Sequence, residues 1–238
     1  MPDTDGPSLS AALAAHRLLP RGGLVFGEGD AAPAGPSGAP ARAVVLVGHA
    51  GASIWPHVEA WRATQPKDIA DPLDSWSRIV IGRVAAAFGA RAVSPSDRPF
   101  LPFQHWAMRA EGLKPSPLGI LMHPVYGLWH AWRGALLFDD TVELDALHAS
   151  NQDAAAPIHL CDLCVGKPCL KACPIGAHAA DGFDYPACLS HVRSPAGAAC
   201  MGQGCFDRNA CPHGTAYRYP AAAQAFHMAS FARGADPR

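Results

Sequence analysis

Residues 161–174 read CDLCVGKPCLKACP, and residues 188–212 read CLSHVRSPAGAACMGQGCFDRNACP. These two segments hold all eight cysteines of the chain, at 161, 164, 169, 173, 188, 200, 205 and 211. Each series closes on a Cys-Pro pair, Cys173-Pro174 and Cys211-Pro212. Closely spaced thiolates suit a cubane of four irons and four sulfides, because each iron corner takes one soft anionic ligand. A loop can wrap three corners, and the fourth ligand comes from elsewhere. In two-cluster proteins the Cys-Pro cysteine of one run serves the other cluster. Proline there turns the chain away and removes a backbone donor. Crossed ligation then groups Cys161, Cys164, Cys169 and Cys211 in one set, and Cys173, Cys188, Cys200 and Cys205 in the other.

The spacing departs from that of bacterial ferredoxins, with four residues between Cys164 and Cys169 and with four and five in the second series. The inserted residues include Gly166, Lys167, Pro168, Met201, Gly202 and Gln203, which suit loops. Zinc and disulfides stay open as alternatives. Zinc favours two compact four-cysteine knuckles and has no need of the Cys-Pro endings, whereas disulfides need an oxidising compartment.

The chain has 238 residues, enough to bury a core without staples. Nearly half its residues are hydrophobic and 16% are charged, a globular balance. A formal net charge of −1 argues against nucleic acid or an anionic membrane as the main partner. The opening MPDTDGPSLS has no basic or apolar leader segment, and no apolar run reaches membrane-spanning length. The expected location is cytoplasmic, where thiols stay reduced.

Working outward, the alternation of helical and strand patterns makes residues 1–150 an α/β domain and 151–238 a small iron–sulfur domain with a C-terminal helix. Residues 8–19 read as a helix capped by Ser8 and stopped at Gly22-Gly23, with Leu24-Val25-Phe26 as a short strand. Ala43 to Val47 is a continuous apolar run and reads as a buried strand. Leu73, Trp76, Val80, Val84 and Phe88 recur at helical spacing, with Asp74 as a candidate cap. Further elements are a helix over 102–111, strands over 118–122 and 129–138, a linker over 147–158 and a final helix over 220–231.

The stretch from Met108 to Trp129, with its Arg-Ala segment, an apolar strand, His123-Pro124, Gly127 and Trp129, resembles the region before the clusters in epoxyqueuosine reductases. Cys173-Pro174 and Cys188-Leu189-Ser190-His191 are similar to cluster elements of the same enzymes. The His-Pro, Gly and Trp pattern also resembles the cobalamin-processing chaperone of the CblC type. Reductive dehalogenases belong to the same circle of relatives. The resemblance implies a nitroreductase-like α+β layer that binds a corrinoid, followed by a bacterial-ferredoxin-like domain that carries two 4Fe–4S clusters. It further implies an external electron donor and transfer of electrons to the corrinoid, for cobalamin reduction or processing. Under that resemblance Ser116, His123 and Trp129 are candidate corrinoid contacts.

The Gly-Arg-Asp-Tyr-His motif of the tRNA enzyme is absent as such. Asp74, within Pro72-Leu73-Asp74-Ser75-Trp76, is the nearest candidate acid. No counterpart of that enzyme's helical-repeat extension precedes Arg238, so tRNA reduction is not expected. The bland readings are a cap for Asp74, a strand-end residue for His123 and core packing for Trp129 and Trp132. The competing functional reading is a ferredoxin-type electron carrier without its own substrate. The oligomeric state is not legible.

Overall fold

The computed structural model describes residues 8–141, 159–179 and 182–234. The protein is a mixed α/β chain with helices and small sheets. It divides into two compact units, Met1–Gly112 with Ala131–Ala156, and Leu113–His130 with Pro157–Arg238.

The first unit is built on a four-stranded sheet of β1 (Leu19–Val25), β2 (Ala43–Ala50), β3 (Arg91–Val93) and a long strand at 130–138, in the order β1, β2, long strand, β3. β1 pairs antiparallel with β2, and β3 antiparallel with the long strand. Arg42 donates its N–H to Phe138 O, while Gly48 abuts the Ala131 carbonyl, so β2 and the long strand also run antiparallel. β2 is buried along almost its whole length, and Val44, Val45, Leu46 and Val47 have no exposed surface. Each such side chain contributes roughly 1.5–3 kcal/mol, as an upper estimate. A strand apolar on both faces requires cover on both.

Helices α1 (Leu9–Ala14), α2 (Trp55–Arg62), α3 (Pro72–Ala87) and α4 (Phe103–Glu111) complete this unit. α3 turns Leu73, Trp76, Val80, Ile81 and Val84 inward at the spacing of one helix face. Its N-cap position belongs to Asp71, at φ 42°, which makes no side-chain cap bond. Asp74 lies inside the first turn, so the capping reading of Asp74 gives way to an ion pair described below. α4 packs on β1. Arg21 donates to both carboxylate oxygens of Glu111 at 2.7 and 2.9 Å, with the two side chains 3% and 4% exposed. Burial pushes the Glu111 carboxyl up, and the Arg21 charge opposes that shift. Helix α1 is shorter than the sequence suggests, because Arg17 takes a left-handed φ of 58° and strand β1 already begins at Leu19.

The second unit begins with a small hairpin, β4 (Lys114–Pro115) against β5 (Leu121–Met122), closed by a Ser116 N–H to Ile120 O bond. The expected strand over 118–122 is thus confined to its last two residues. Residue 130 opens the long strand, hereafter β6 (His130–Phe138). Met122 and Leu128 pack with Cys161 and Cys211. The Gly127 and His213–Gly214 backbones touch, at a position where Gly127 has φ 58° and a Cβ would overlap the His213 carbonyl. These contacts explain why residues 113–130 belong with the cysteine-bearing segment. The unit continues through α5 (Leu160–Leu163), β7 (His178–Ala179) paired with β8 (Gly182–Phe183), α6 (Tyr185–Arg193), α7 (Ala198–Gln203), α8 (Phe206–Ala210) and α9 (Ala221–Ala232). The final helix matches the one expected over 220–231 within a residue. The linker expected over 147–158 lies outside the described residues. Among the described residues, no helix is long and apolar enough to cross a membrane.

Candidate metal centres

The cysteines sit on short, tightly turned elements of the second unit. Cys161 lies in α5, and Cys164 ends that helix with its N–H directed at Cys161 O. Gly166 at φ 78° and Lys167 at φ 39° reverse the chain into a 3-10 turn over Pro168–Leu170 that carries Cys169. Lys167 Nζ donates to Cys161 O at 2.7 Å, which closes this loop on itself. Cys188 lies in α6, whose start is capped by the Asp184 side chain accepting from Ala187 N. Cys200 lies in α7, and Cys205 and Cys211 flank α8.

The electrostatic environment of each thiol identifies its neighbours. Burial pushes the Cys161 thiol up to about 11, with Cys211, Cys169 and Cys164 adding to the shift and Lys167 opposing it. Burial also raises Cys169, with Cys211 and Cys164 contributing, and raises Cys211, with Cys164 contributing and Arg218 opposing. In the other group, burial pushes Cys188 up to about 11, with Cys205, Cys173 and Cys200 adding. Burial likewise raises Cys200 and Cys205, and both feel Cys173. Each of these thiol–thiol interactions stays within one group: 161, 164, 169 and 211, or 173, 188, 200 and 205.

All eight cysteines are free thiols. Among the described residues, no three His, Cys, Asp or Glu side chains converge as a single-ion site would require. A cubane offers four separate iron corners, so its ligands surround a volume rather than meet at one point. The donor set fits such a group: soft sulfur ligands in fours, partly buried, and mutually repulsive once ionised. Three buried polar atoms of this unit, Trp129 Nε1, Arg208 Nε and His213 Nε2, have no protein hydrogen-bond partner, and His213 lies two residues beyond Cys211.

Asp207, on α8, has no exposed surface. Its Oδ1 accepts from Ala172 N at 3.0 Å and from Cys173 N at 2.7 Å. Its Oδ2 accepts from His178 Nδ1 at 2.8 Å. This carboxylate ties the Cys173 loop to the helix between Cys205 and Cys211. Sequence reasoning passed over it; the only local signal was an acid placed between two cysteines on a short helix. Two hydrogen bonds also reach cluster-candidate sulfurs directly, from Ala177 N to Cys173 Sγ at 3.4 Å and between His191 Nε2 and Cys200 Sγ at 3.7 Å.

The remaining candidates are held by local contacts. Asp74, in the first unit, accepts from Arg133 Nη1 at 3.5 Å. Ser116, His123 and Trp129 belong to the second unit. Ser116 is buried and its Oγ accepts from Leu118 N. His123 is 4% exposed; its Nδ1 accepts from Val125 N and Tyr126 N, and its ring stacks on Tyr126 at 4.1 Å. Trp129 is fully buried beneath the Arg208 guanidinium, 4.4 Å away, with Tyr219 at 5.3 Å. Arg208 is fixed there by donation to Leu128 O at 2.6 Å.

No family model matches the sequence, and no curated protein matches it. Among solved structures, the epoxyqueuosine reductase of Bacillus subtilis, captured with a catalytic loop swung out of its active site, is a remote neighbour. The identity is 14% and the TM-score 0.46, over 76% of this chain and 50% of that one. The chain therefore spans half the length of that structure. At this score and identity the likeness assigns no family, site or activity to the chain.

Proposed function

We propose that the chain is an iron–sulfur redox protein whose second unit carries two 4Fe–4S clusters. Cys161, Cys164, Cys169 and Cys211 hold one, and Cys173, Cys188, Cys200 and Cys205 hold the other. The observation that carries this reading is the sorting of the thiols into two groups of four neighbours, each joining cysteines from both sequence runs. The clusters, when bound, supply one-electron carriers whose potential the protein sets through charge, hydrogen bonds and exposure. The protein's part is to hold the sulfurs, bury most of them and restrict water.

The ligand grouping is tested by removing one cysteine from each group in anaerobically reconstituted full-length protein. Cys211→Ala is expected to remove the electron paramagnetic resonance signal of the cluster on Cys161, Cys164 and Cys169. Cys188→Ala is expected to remove the other signal. Loss of the same signal in both variants contradicts the grouping.

The finer reading is that an external donor in a reducing compartment feeds the clusters, which pass electrons to a corrinoid bound through the N-terminal part of the chain, making the protein an oxidoreductase. Its support is the sequence resemblance across Met108–Trp129. Anaerobic cobalamin titration, followed by visible absorbance, decides between this and a plain electron carrier. A spectral change that saturates supports the corrinoid, and an unchanged spectrum at high cobalamin leaves the carrier.

A further inference from the structure

We propose that Asp207 and Lys167 bias the two clusters in opposite directions, Asp207 making the cluster on Cys173, Cys188, Cys200 and Cys205 harder to reduce and Lys167 making the cluster on Cys161, Cys164, Cys169 and Cys211 easier to reduce. The inference rests on the two-cluster reading and concerns how this chain's own charges tune it.

The argument begins with burial. Asp207 is wholly inaccessible, and three donors fix its carboxylate: Ala172 N, Cys173 N and His178 Nδ1. The His178 ring that meets Asp207 Oδ2 is itself stacked on Phe183 at 4.5 Å. An ion held away from water is screened little by salt and acts over several ångströms. Reduction adds one electron, and so one negative charge, to a cubane. A fixed anion beside the ligands opposes that addition. Asp207 belongs by geometry to one group: its Oδ1 accepts from the Cys173 N–H, and it lies in the first turn of the helix that Cys205 opens.

Lys167 is the counterpart. Its left-handed backbone folds the side chain over the Cys161–Cys169 loop, and its Nζ is anchored on Cys161 O at 2.7 Å. A cation there favours the added electron. The donors at Cys173 Sγ and Cys200 Sγ act against Asp207 within its own group. The absolute order of the two potentials is therefore a balance, whereas the sign of the change on removing each charge is not.

Asp207 is also a positioning residue, because it holds the Cys173 backbone. Asp207→Asn keeps its size and an acceptor oxygen while removing the charge, and Lys167→Gln keeps most of the stem. The experiment is an anaerobic dithionite titration of the reconstituted full chain, with each reduced cluster followed by electron paramagnetic resonance. Iron and sulfide are counted on every sample first. A wild type with fewer than two cubanes defeats the two-cluster reading itself. With two cubanes present, Asp207→Asn is expected to move one reduction step to higher potential and to move the other less. Lys167→Gln is expected to move that other step to lower potential. Steps that do not move, or that move together or with the opposite sign, overturn the inference and leave the two-cluster reading standing. If Asp207→Asn does not assemble its cluster, Lys167→Gln decides alone, and an unmoved step overturns the inference.

Discussion

Val44, Val45, Leu46 and Val47 close the first unit around an apolar strand, whereas Cys161, Cys169, Cys200 and Cys211 are among the buried side chains of the second. The sheet unit is stabilised by removing hydrocarbon from water, which needs no partner. The cysteine unit has very short strands and helices of four to twelve residues. Its interior includes groups that repel one another once they ionise. Two parts of one chain thus differ in what fills their interiors, and the proposed clusters would make the second depend on iron.

The largest effect expected is therefore from removing iron. Metal binding in such small units is coupled to folding. Anaerobic chelation should abolish slow amide exchange around Cys188–Val192 and Cys200–Cys211, while amides of Val44–Val47 remain protected. Equal protection in both segments after iron loss would erase the contrast between the units.

The next effect concerns the buried Arg21–Glu111 pair that links β1 to α4. Glu111→Ala deprives the buried Arg21 of its carboxylate and is expected to destabilise by roughly 3–5 kcal/mol in denaturant titration. Replacing both partners with apolar residues should restore much of that loss, since the pair must offset its own desolvation. A smaller change is expected at the backbone contact inside the cysteine unit. Gly127→Ala requires an alanine at φ 58° and a Cβ where the His213 carbonyl lies, so about 1–3 kcal/mol should be lost from the second unit and little from the first.

The smallest effect lies on the surface. Arg109 donates to both oxygens of Asp30, and this side-chain bond, followed by the Gly27 N–H, holds the Asp30 carboxyl below its ordinary value of 3.8. A depressed carboxyl stabilises above its unfolded value, and that contribution is lost as pH falls through the lower folded value. Asp30→Asn should consequently cost a small amount of stability at neutral pH and none in strong acid, where the wild-type carboxyl is already protonated.

The contrast between the units also explains what could be read in advance. The valine run of β2 and the helical spacing of α3 are properties of consecutive residues, so both elements appear where their patterns are. The Cys-Pro endings that suggest the grouping of the thiols are again a local signal. Asp207 was hidden because its partners, Ala172, Cys173 and His178, lie about thirty residues earlier. The membership of residues 113–130 in the second unit was hidden for the same reason, since it depends on Gly127 meeting His213. Strand β1 was curtailed in the reading because Gly22 and Gly23 look like breakers, whereas here they accommodate a register shift and the close approach of Ala110.

The central claim is tested most directly by counting iron and acid-labile sulfide in anaerobically prepared protein. Two cubanes require about eight of each per chain. Stoichiometric zinc without sulfide would contradict the account.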